Sequence, residues 1–222
     1  MEALGKLESI VELYFSQRYS LFKSKDANGE EIEKWFKFES RAHFLDAYLA
    51  YYRNLPDLKA AILNGCSAKF KIIYDGQEYE LKHTHQEEFK DDKGNIRGVN
   101  NSVLSEMALK LVSKAKQFDS AVSFDDVYNI VKSSRVAGFG ELSIYDAAVR
   151  ISAYLGYKPD KVFLHAGARK GAESLEEKGL LPDDSSIEET LLISDFPTPI
   201  QKLDALQIEN FLCSFKINIT KL

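Results

Sequence analysis

Apolar side chains at the start of the chain recur every three or four positions, at Leu4, Leu7, Val11 and Tyr14. This spacing places them on one face of a helix, and it predicts an amphipathic helix over residues 2–22. The Asp26-Ala-Asn-Gly29 segment that follows is typical of a turn and ends the helical pattern.

Large aromatic side chains dominate the next segment, Trp35–Tyr52. A helix is predicted over Ser40–Arg53, before Pro56 stops it, and a short helix over Asp57–Asn64 follows. Because the rings recur at helical spacing, we expect them to form a helical core. The alternatives are that they stack on nucleic-acid bases or bind a protein partner.

The segment Lys69–His85 changes to β-branched and aromatic residues on either side of Asp75-Gly76. Asp-Gly is a favoured two-residue turn between antiparallel strands, so this segment predicts a β-hairpin. His83 and His85 are two residues apart on its second strand, where their side chains would share a face.

Two imidazoles at this spacing can bind a metal ion only if a third ligand joins them. In the neighbourhood of His83 and His85, the sequence suggests only Glu87 or Glu88 for that role. We therefore expect an exposed polar strand face and no metal. The polar segment Lys90–Gly98 is predicted to be a mobile loop.

From Asn101 the pattern is again helical to the end of the chain. Ser123 is suited to cap a helix over Phe124–Val131, and apolar positions predict a further helix over Pro199–Phe215. The predicted fold is mainly α, with one small β-hairpin. It divides into residues 1–98 and 99–222, either as separate helical regions or as one integrated domain.

The most informative motif is Val136-Ala-Gly-Phe-Gly-Glu-Leu-Ser-Ile-Tyr-Asp146. A helix ending near Ser134, a turn built on Gly138-Phe139-Gly140 and a second helix from about Leu142 form the layout of a helix-hairpin-helix. Glycine permits positive φ and lets backbone approach a ligand, and the first amides of a helix bind anions. The motif therefore predicts contact with a DNA phosphate, with Phe139 packing between the helices.

This stretch resembles the helix-hairpin-helix superfamily of base-excision DNA glycosylases, whose hairpin usually reads Leu-Pro-Gly-hydrophobic-Gly. That family of DNA repair enzymes continues through a Gly-x-Pro stretch to a catalytic aspartate, and here Leu155-Gly-Tyr-Lys-Pro159 leads to Val162-Phe-Leu-His165. The resemblance covers residues 126–171. Leu142 stands at the position of the Schiff-base lysine, and His165 stands at that of the aspartate. The resemblance therefore implies DNA binding more than base removal.

The motif lies in a basic part of the sequence. Between Ile130 and Lys170, seven basic residues accompany three acidic ones, whereas the segment after Lys170 has ten acidic residues and four lysines. Amides and cations bind phosphates without reading bases, so we expect salt-dependent and weakly sequence-specific binding to the DNA backbone. The predicted contacts are Lys132, Arg135, Gly138, Gly140, Ser143, Arg169 and Lys170.

Three side chains are candidates for chemistry if the protein is an enzyme with an altered glycosylase-like site. His165 suits general acid-base work. Asp146 precedes Arg150 by one helical turn, the order that favours an ion pair, and Tyr145 either faces the phosphate or packs inward.

Besides DNA binding and catalysis, a third possible function is a module that binds a protein partner through the aromatic segment and the acidic tail.

Composition limits the remaining classes. The 222 residues are 45% hydrophobic and 28% charged, with a net charge of −5, as is typical of a globular protein. No apolar run approaches the ~18 residues of a membrane span, and the first residues lack a secretory pattern, so we expect a cytoplasmic protein without a membrane partner. The 2 cysteines form no Cys-x-x-Cys motif, which fits a reducing compartment, and no cofactor is expected.

Overall fold

The computed structural model describes residues 2–90 and 92–222. The protein is 54% helical and 17% strand, so the predicted mainly α class is confirmed. The described residues form nine α-helices and four two-stranded antiparallel sheets, and the expectation of a single β-hairpin is therefore wrong. Within this part of the chain, every helix is too short or too polar to cross a lipid bilayer.

The elements follow one another in this order. The helices are α1 (Glu2–Ser16), α2 (Arg41–Arg53), α3 (Leu58–Ser67), α4 (Asn101–Val112), α5 (Ala115–Asp119), α6 (Phe124–Ser133), α7 (Glu141–Leu155), α8 (Ala166–Glu177) and α9 (Ala205–Ile219). The paired strands are β1 (Tyr19–Lys25) with β2 (Glu31–Phe38), β3 (Lys69–Tyr74) with β4 (Gln77–Lys82), β5 (Phe89–Lys90) with β6 (Ile96–Arg97), and β7 (Lys161–Phe163) with β8 (Thr190–Leu192).

The chain forms two compact units that interleave along the sequence. The first unit runs to Tyr19 and includes Phe38–Phe44 and Pro159–Leu222. The second unit consists of Ser20–Lys37 and Leu45–Lys158. Each unit is described below by itself.

The first unit is built on the close packing of α8 against α9. A side-chain carbon added at Gly171 would lie 2.6 Å from the carbonyl oxygen of Leu212, and one added at Gly167 would also clash with α9. Glycine at these two positions therefore lets the helix backbones approach. α1 covers the same core with Tyr14, which is buried and contacts the ring of Phe211 edge-on.

The second unit packs α7 against both α3 and α6. α6 begins behind Ser123, the predicted N-cap, whose Oγ accepts the Asp126 N–H at 3.1 Å. α7 is buried over most of Ser143–Ser152 and is the central helix of this unit. α3 approaches it closely, because a carbon added at Gly65 would lie 3.1 Å from Ile151 Cγ1.

The predicted hairpin is confirmed as β3 and β4. Its register pairs Tyr74 with Gln77 across a two-residue turn. The turn residues Asp75 and Gly76 have φ angles of 52° and 77°. Positive φ at both positions is the geometry that Asp-Gly favours, because its twist matches that of the flanking strands.

The two histidines do not lie on the second strand of this hairpin. β4 ends at Lys82, so the prediction that His83 and His85 share a strand face is wrong. A 3-10 turn over Thr84–Gln86 follows, with His83 as its N-cap. The His83 N–H donates to the Ala68 carbonyl oxygen at 2.9 Å, which fixes where the turn begins.

The first helix is shorter than predicted. α1 ends at Ser16, and the chain from Tyr19 forms β1 instead of continuing as helix to residue 22. The Asp26 carboxylate accepts the backbone N–H groups of Asn28 and Glu30 at 2.8 and 2.9 Å, which closes the turn into β2. Strand pairing across this turn outweighs the local helical spacing.

Two other predicted boundaries change. The segment predicted as a loop, Lys90–Gly98, includes the end of β5 and all of β6, and Asp91 within it lies outside the described residues. Near the end, a 3-10 turn precedes α9, which begins behind Asp204. The Asp204 carboxylate accepts a backbone N–H from the first turn of α9 at 2.9 Å, and this cap divides the helix predicted over Pro199–Phe215.

Alanine substitutions at Gly171 in α8 and at a control glycine in α1 test the close approach of α8 and α9. Gly171→Ala places a carbon 2.6 Å from the Leu212 carbonyl oxygen, so we expect the free energy of unfolding to fall by about 1–3 kcal/mol. Gly5→Ala is the control, because no described atom lies within 4 Å of the added carbon, and it should raise stability by up to ~1 kcal/mol. Urea unfolding measures both, and equal stabilities would contradict the assigned packing.

Candidate functional site

The turn between α6 and α7 holds an exposed glycine between two buried apolar side chains. Gly138 has a φ of 85°, in the left-handed region, and an added carbon would lie 3.3 Å from Val103 Cγ2. Val136 and Phe139 are buried on either side of it, and the packing role predicted for Phe139 is confirmed. The two side chains anchor the turn, so its backbone is presented at the surface at Gly138.

The start of α7 offers backbone donors next to this turn. Gly140 is the N-cap, and it has no side chain to bond the helix amides. The Ile144 N–H donates to the Gly140 carbonyl oxygen at 2.9 Å. The N–H groups of Glu141, Leu142 and Ser143 precede that bond and lie at the positive end of the helix dipole, where anions are stabilised.

Three exposed cations among the described residues line the turn. Lys132 lies in the last turn of α6, with its Nζ 5.3 Å from the centre of the Tyr128 ring. Arg135 Nη1 lies 3.1 Å from Glu141 Oε1, and Lys110 Nζ donates to the Arg135 carbonyl oxygen at 3.4 Å. Lys110 comes from α4 and is absent from the predicted contacts. We call these cations, Gly138 and the first amides of α7 the turn surface.

Two predicted site residues on α7 point into the core. Ser143 is 5% exposed and Tyr145 is 2% exposed. The Tyr145 ring packs edge-on against Phe124 of α6, with 6.1 Å between the ring centroids. Of the two placements considered for Tyr145, inward packing is therefore observed. Ser143 offers an anion its backbone N–H and not its hydroxyl.

Three predicted residues belong to the first unit, whereas the turn surface belongs to the second. His165 is the N-cap of α8, and Lys170 is exposed. The Arg169 guanidinium donates to the carbonyl oxygen of Ser186 and, at 3.0 Å, to that of Glu188. Because these carbonyl groups engage its donors, Arg169 fastens the segment before β8 to α8.

A buried arginine ties α7 to its neighbours in the second unit. Arg150 is 1% exposed. Its Nη1 donates to the Gly65 carbonyl oxygen at 3.0 Å, its Nη2 to Gln86 Oε1 at 2.7 Å, and its Nε to the Tyr48 hydroxyl. Nη2 also lies 3.3 Å from Asp146 Oδ2, so the predicted ion pair is confirmed. Each guanidinium nitrogen has a partner, as a buried cation requires.

Asp146 also meets the 3-10 turn after β4. Its Oδ2 lies 3.0 Å from His85 Nδ1 and accepts from Gln86 Nε2 at 3.0 Å. The His83 ring stands edge-on to that of His85, with 4.6 Å between centroids. One ligand atom from each of His83, His85 and Asp146 lies within 4.8 Å of the other two, and we call these residues the histidine-aspartate cluster.

The carboxylate of this cluster is ionised at neutral pH. Burial favours the neutral acid, but the Arg150 guanidinium and His85 outweigh that effect and hold the pKa of Asp146 well below its usual range. The Asp146 side chain is 14% exposed, so its charge is only partly screened by water. An anionic oxygen is thus held beside two imidazoles.

The third member of the cluster is not the residue that the sequence suggests. Glu87 pairs with the buried Lys23 at 2.6 Å, and Glu88 accepts from Asn100 Nδ2 at 3.1 Å. Asp146 lies 61 residues from the second histidine of the cluster. No local pattern connects them, because the packing of α7 brings them together. The spacing from Asp146 to its arginine partner is the one sequence signal for a held carboxylate.

Comparisons with models of known protein families, with curated proteins and with solved structures find no match. The second unit holds two candidate sites, the turn surface and the histidine-aspartate cluster. Both include residues of α7, whose position depends on the contacts of Arg150.

Removal of the Arg150 guanidinium tests this dependence. Arg150→Met keeps a long side chain but deprives Asp146 of its cation, so we expect the free energy of unfolding to fall by about 3–5 kcal/mol. Arg53→Met is the matched control, because its 2.6 Å pair with Asp46 is exposed, and it should cost less than ~1 kcal/mol. Urea unfolding measures both. Similar losses of unfolding free energy in the two variants would show that the buried network stabilises the protein no more than an exposed ion pair does.

Proposed function

We propose that this protein binds the DNA phosphate backbone through a helix-hairpin-helix formed by α6, α7 and the turn between them. The observation that carries the proposal is the turn surface, where the exposed Gly138 and the start of α7 occur with three exposed cations, one of which pairs with Glu141. Amides and cations bind phosphate oxygens whatever the base sequence. Binding is expected to be largely independent of sequence and strongly dependent on salt.

Local charge supports this proposal although the whole chain is acidic. The net charge is −5, yet at the turn surface Lys110, Lys132 and Arg135 accompany the carboxylate of Glu141. Charges farther apart than about 10 Å are largely screened at 0.1 M salt. The cations next to a bound phosphate therefore contribute more to its affinity than the net charge of the chain.

The catalytic alternative, a glycosylase-like enzyme with an altered site, has less support. Tyr145 is buried, and Asp146 is bound by Arg150.

One observation favours a protein partner as the second candidate. Trp35 is 57% exposed and packs against the exposed ring of Phe22, with 5.1 Å between centroids. A chain that binds neither duplex nor single strand at low salt would favour that second candidate.

Fluorescence anisotropy with a labelled duplex and a labelled single strand tests the proposal. Lys132→Ala with Arg135→Ala should weaken binding by about an order of magnitude and reduce the slope of log affinity against log salt by about 2, because two phosphate contacts are lost. Lys178→Ala with Lys221→Ala, in the first unit, removes the same charge from exposed positions and should bind as the parent does.

These surface variants isolate the interaction better than a change at Gly138, whose positive φ and contact with Val103 make an alanine there strain the turn itself. Equal affinities and salt slopes for the two double variants would show that the turn surface does not bind DNA.

Replacement of Glu141 is expected to increase DNA affinity, whereas replacement of the cations decreases it. Glu141→Gln removes a carboxylate beside the first amides of α7 and releases Arg135, which lies 3.1 Å away, so we expect DNA affinity to rise about threefold or more at low salt. Glu177→Gln, at the exposed end of α8, changes the net charge equally and serves as the control. If both variants gain the same affinity, net charge rather than this site controls binding.

A further inference from the structure

We propose that the histidine-aspartate cluster, His83, His85 and Asp146, binds a divalent transition-metal ion, with Zn²⁺ the best match. One ligand atom of each residue lies within 4.8 Å of the other two. Zinc binds nitrogen and oxygen at about 2.0–2.2 Å, so donors around one ion are about 4 Å apart at most. Movement of the side-chain ends by about 1 Å therefore brings all three donors onto one ion.

The three ligands project from fixed parts of the second unit. His83 follows β4, and its ring packs on that of Tyr48 with 5.2 Å between centroids. Asp146 projects from the central helix α7, and the buried Gln86 donates to its Oδ2 at 3.0 Å. Outer partners of this kind orient metal ligands and increase affinity. The scaffold thus supports the ligands before any ion arrives.

The hydrogen bonds of the Asp146 carboxylate use one of its two oxygens. Its contacts with His85, Gln86 and Arg150 all converge on Oδ2. Oδ1 has no hydrogen-bond partner among residues 2–90 and 92–222. An anionic oxygen beside two imidazole nitrogens is a donor set for zinc and its first-row neighbours, whereas Mg²⁺ and Ca²⁺ prefer oxygen ligands alone.

Two features of the cluster limit its affinity. The Arg150 guanidinium lies 3.3 Å from Oδ2 and offsets the charge of the carboxylate. In addition, His85 Nδ1 lies 3.0 Å from the same oxygen, so an ion that uses this nitrogen must displace the shared proton. We therefore expect micromolar affinity. Three protein ligands also leave a fourth position for water or a small anionic ligand.

The proposed ion site shares no residue with the turn surface, so it is independent of DNA binding and can be tested without DNA. The experiment is metal titration of the full chain, without a histidine tag, after chelator treatment. We expect Co²⁺ to bind once per chain and give visible d–d absorption, and Zn²⁺ to displace it with micromolar affinity by calorimetry. Mg²⁺ should neither bind nor displace Co²⁺.

His83→Gln with His85→Gln should weaken Zn²⁺ binding by about 100-fold or more, since loss of outer partners alone costs up to about that much. His43→Gln is the matched control, because His43 is an exposed histidine whose nearest acid is Glu39 at 3.8 Å, and it should bind as the parent does. Circular dichroism and melting without metal show that each variant is folded. Zinc binding retained in the double variant, equally lost in His43→Gln, or absent from the parent would overturn the proposal.

Discussion

The Arg150 guanidinium lies in the core of the second unit, 1% exposed, and several segments of the chain must meet around it. A cation at that depth is destabilising unless its N–H groups are bonded. Its partners come from α2, α3, the 3-10 turn after β4 and α7, and they are Tyr48, Gly65, Gln86 and Asp146. Displacement of any of these elements would leave a buried charge short of a partner. The network therefore selects one packing of α2, α3 and α7.

Both candidate sites depend on this packing. Gln86 accepts from Arg150 through Oε1 at 2.7 Å and donates to Asp146 through Nε2 at 3.0 Å, so its amide holds the 3-10 turn and the carboxylate together. That contact sets the distance between α7 and the two histidines. Before the start of α7, the buried side chain of Phe139 anchors the turn that leads into this helix. α7 thus carries the Asp146 carboxylate along its length and, at its start, the N–H groups that precede its first intrahelical bond.

Features determined by neighbouring residues were predictable from the sequence, and features determined by distant pairing were not. The Ser123 cap, the Asp75-Gly76 turn and the bend at Gly138 each depend on one or two residues and a local backbone conformation. Strand β1 was missed because the helical spacing of Leu4, Leu7, Val11 and Tyr14 was extended to residue 22, whereas pairing with β2 makes Tyr19–Lys25 a strand. The third member of the histidine-aspartate cluster was missed for the same reason, since it lies 61 residues from the second histidine.

The two proposed sites make opposite demands on charge, and both include residues of α7. The proposed phosphate contact uses the positive end of the helix, whereas the proposed metal site uses the carboxylate of Asp146, about 7.5 Å farther along the axis. A lone carboxylate at that distance would repel a phosphate. Because the Arg150 guanidinium lies 3.3 Å from the Asp146 carboxylate, the two charges nearly cancel at the start of the helix. Glu141, in contrast, is an exposed acid at the helix start itself, paired with Arg135. Phosphate affinity should therefore depend on that surface pair and metal affinity on the buried one, which makes the two binding events separable within one helix.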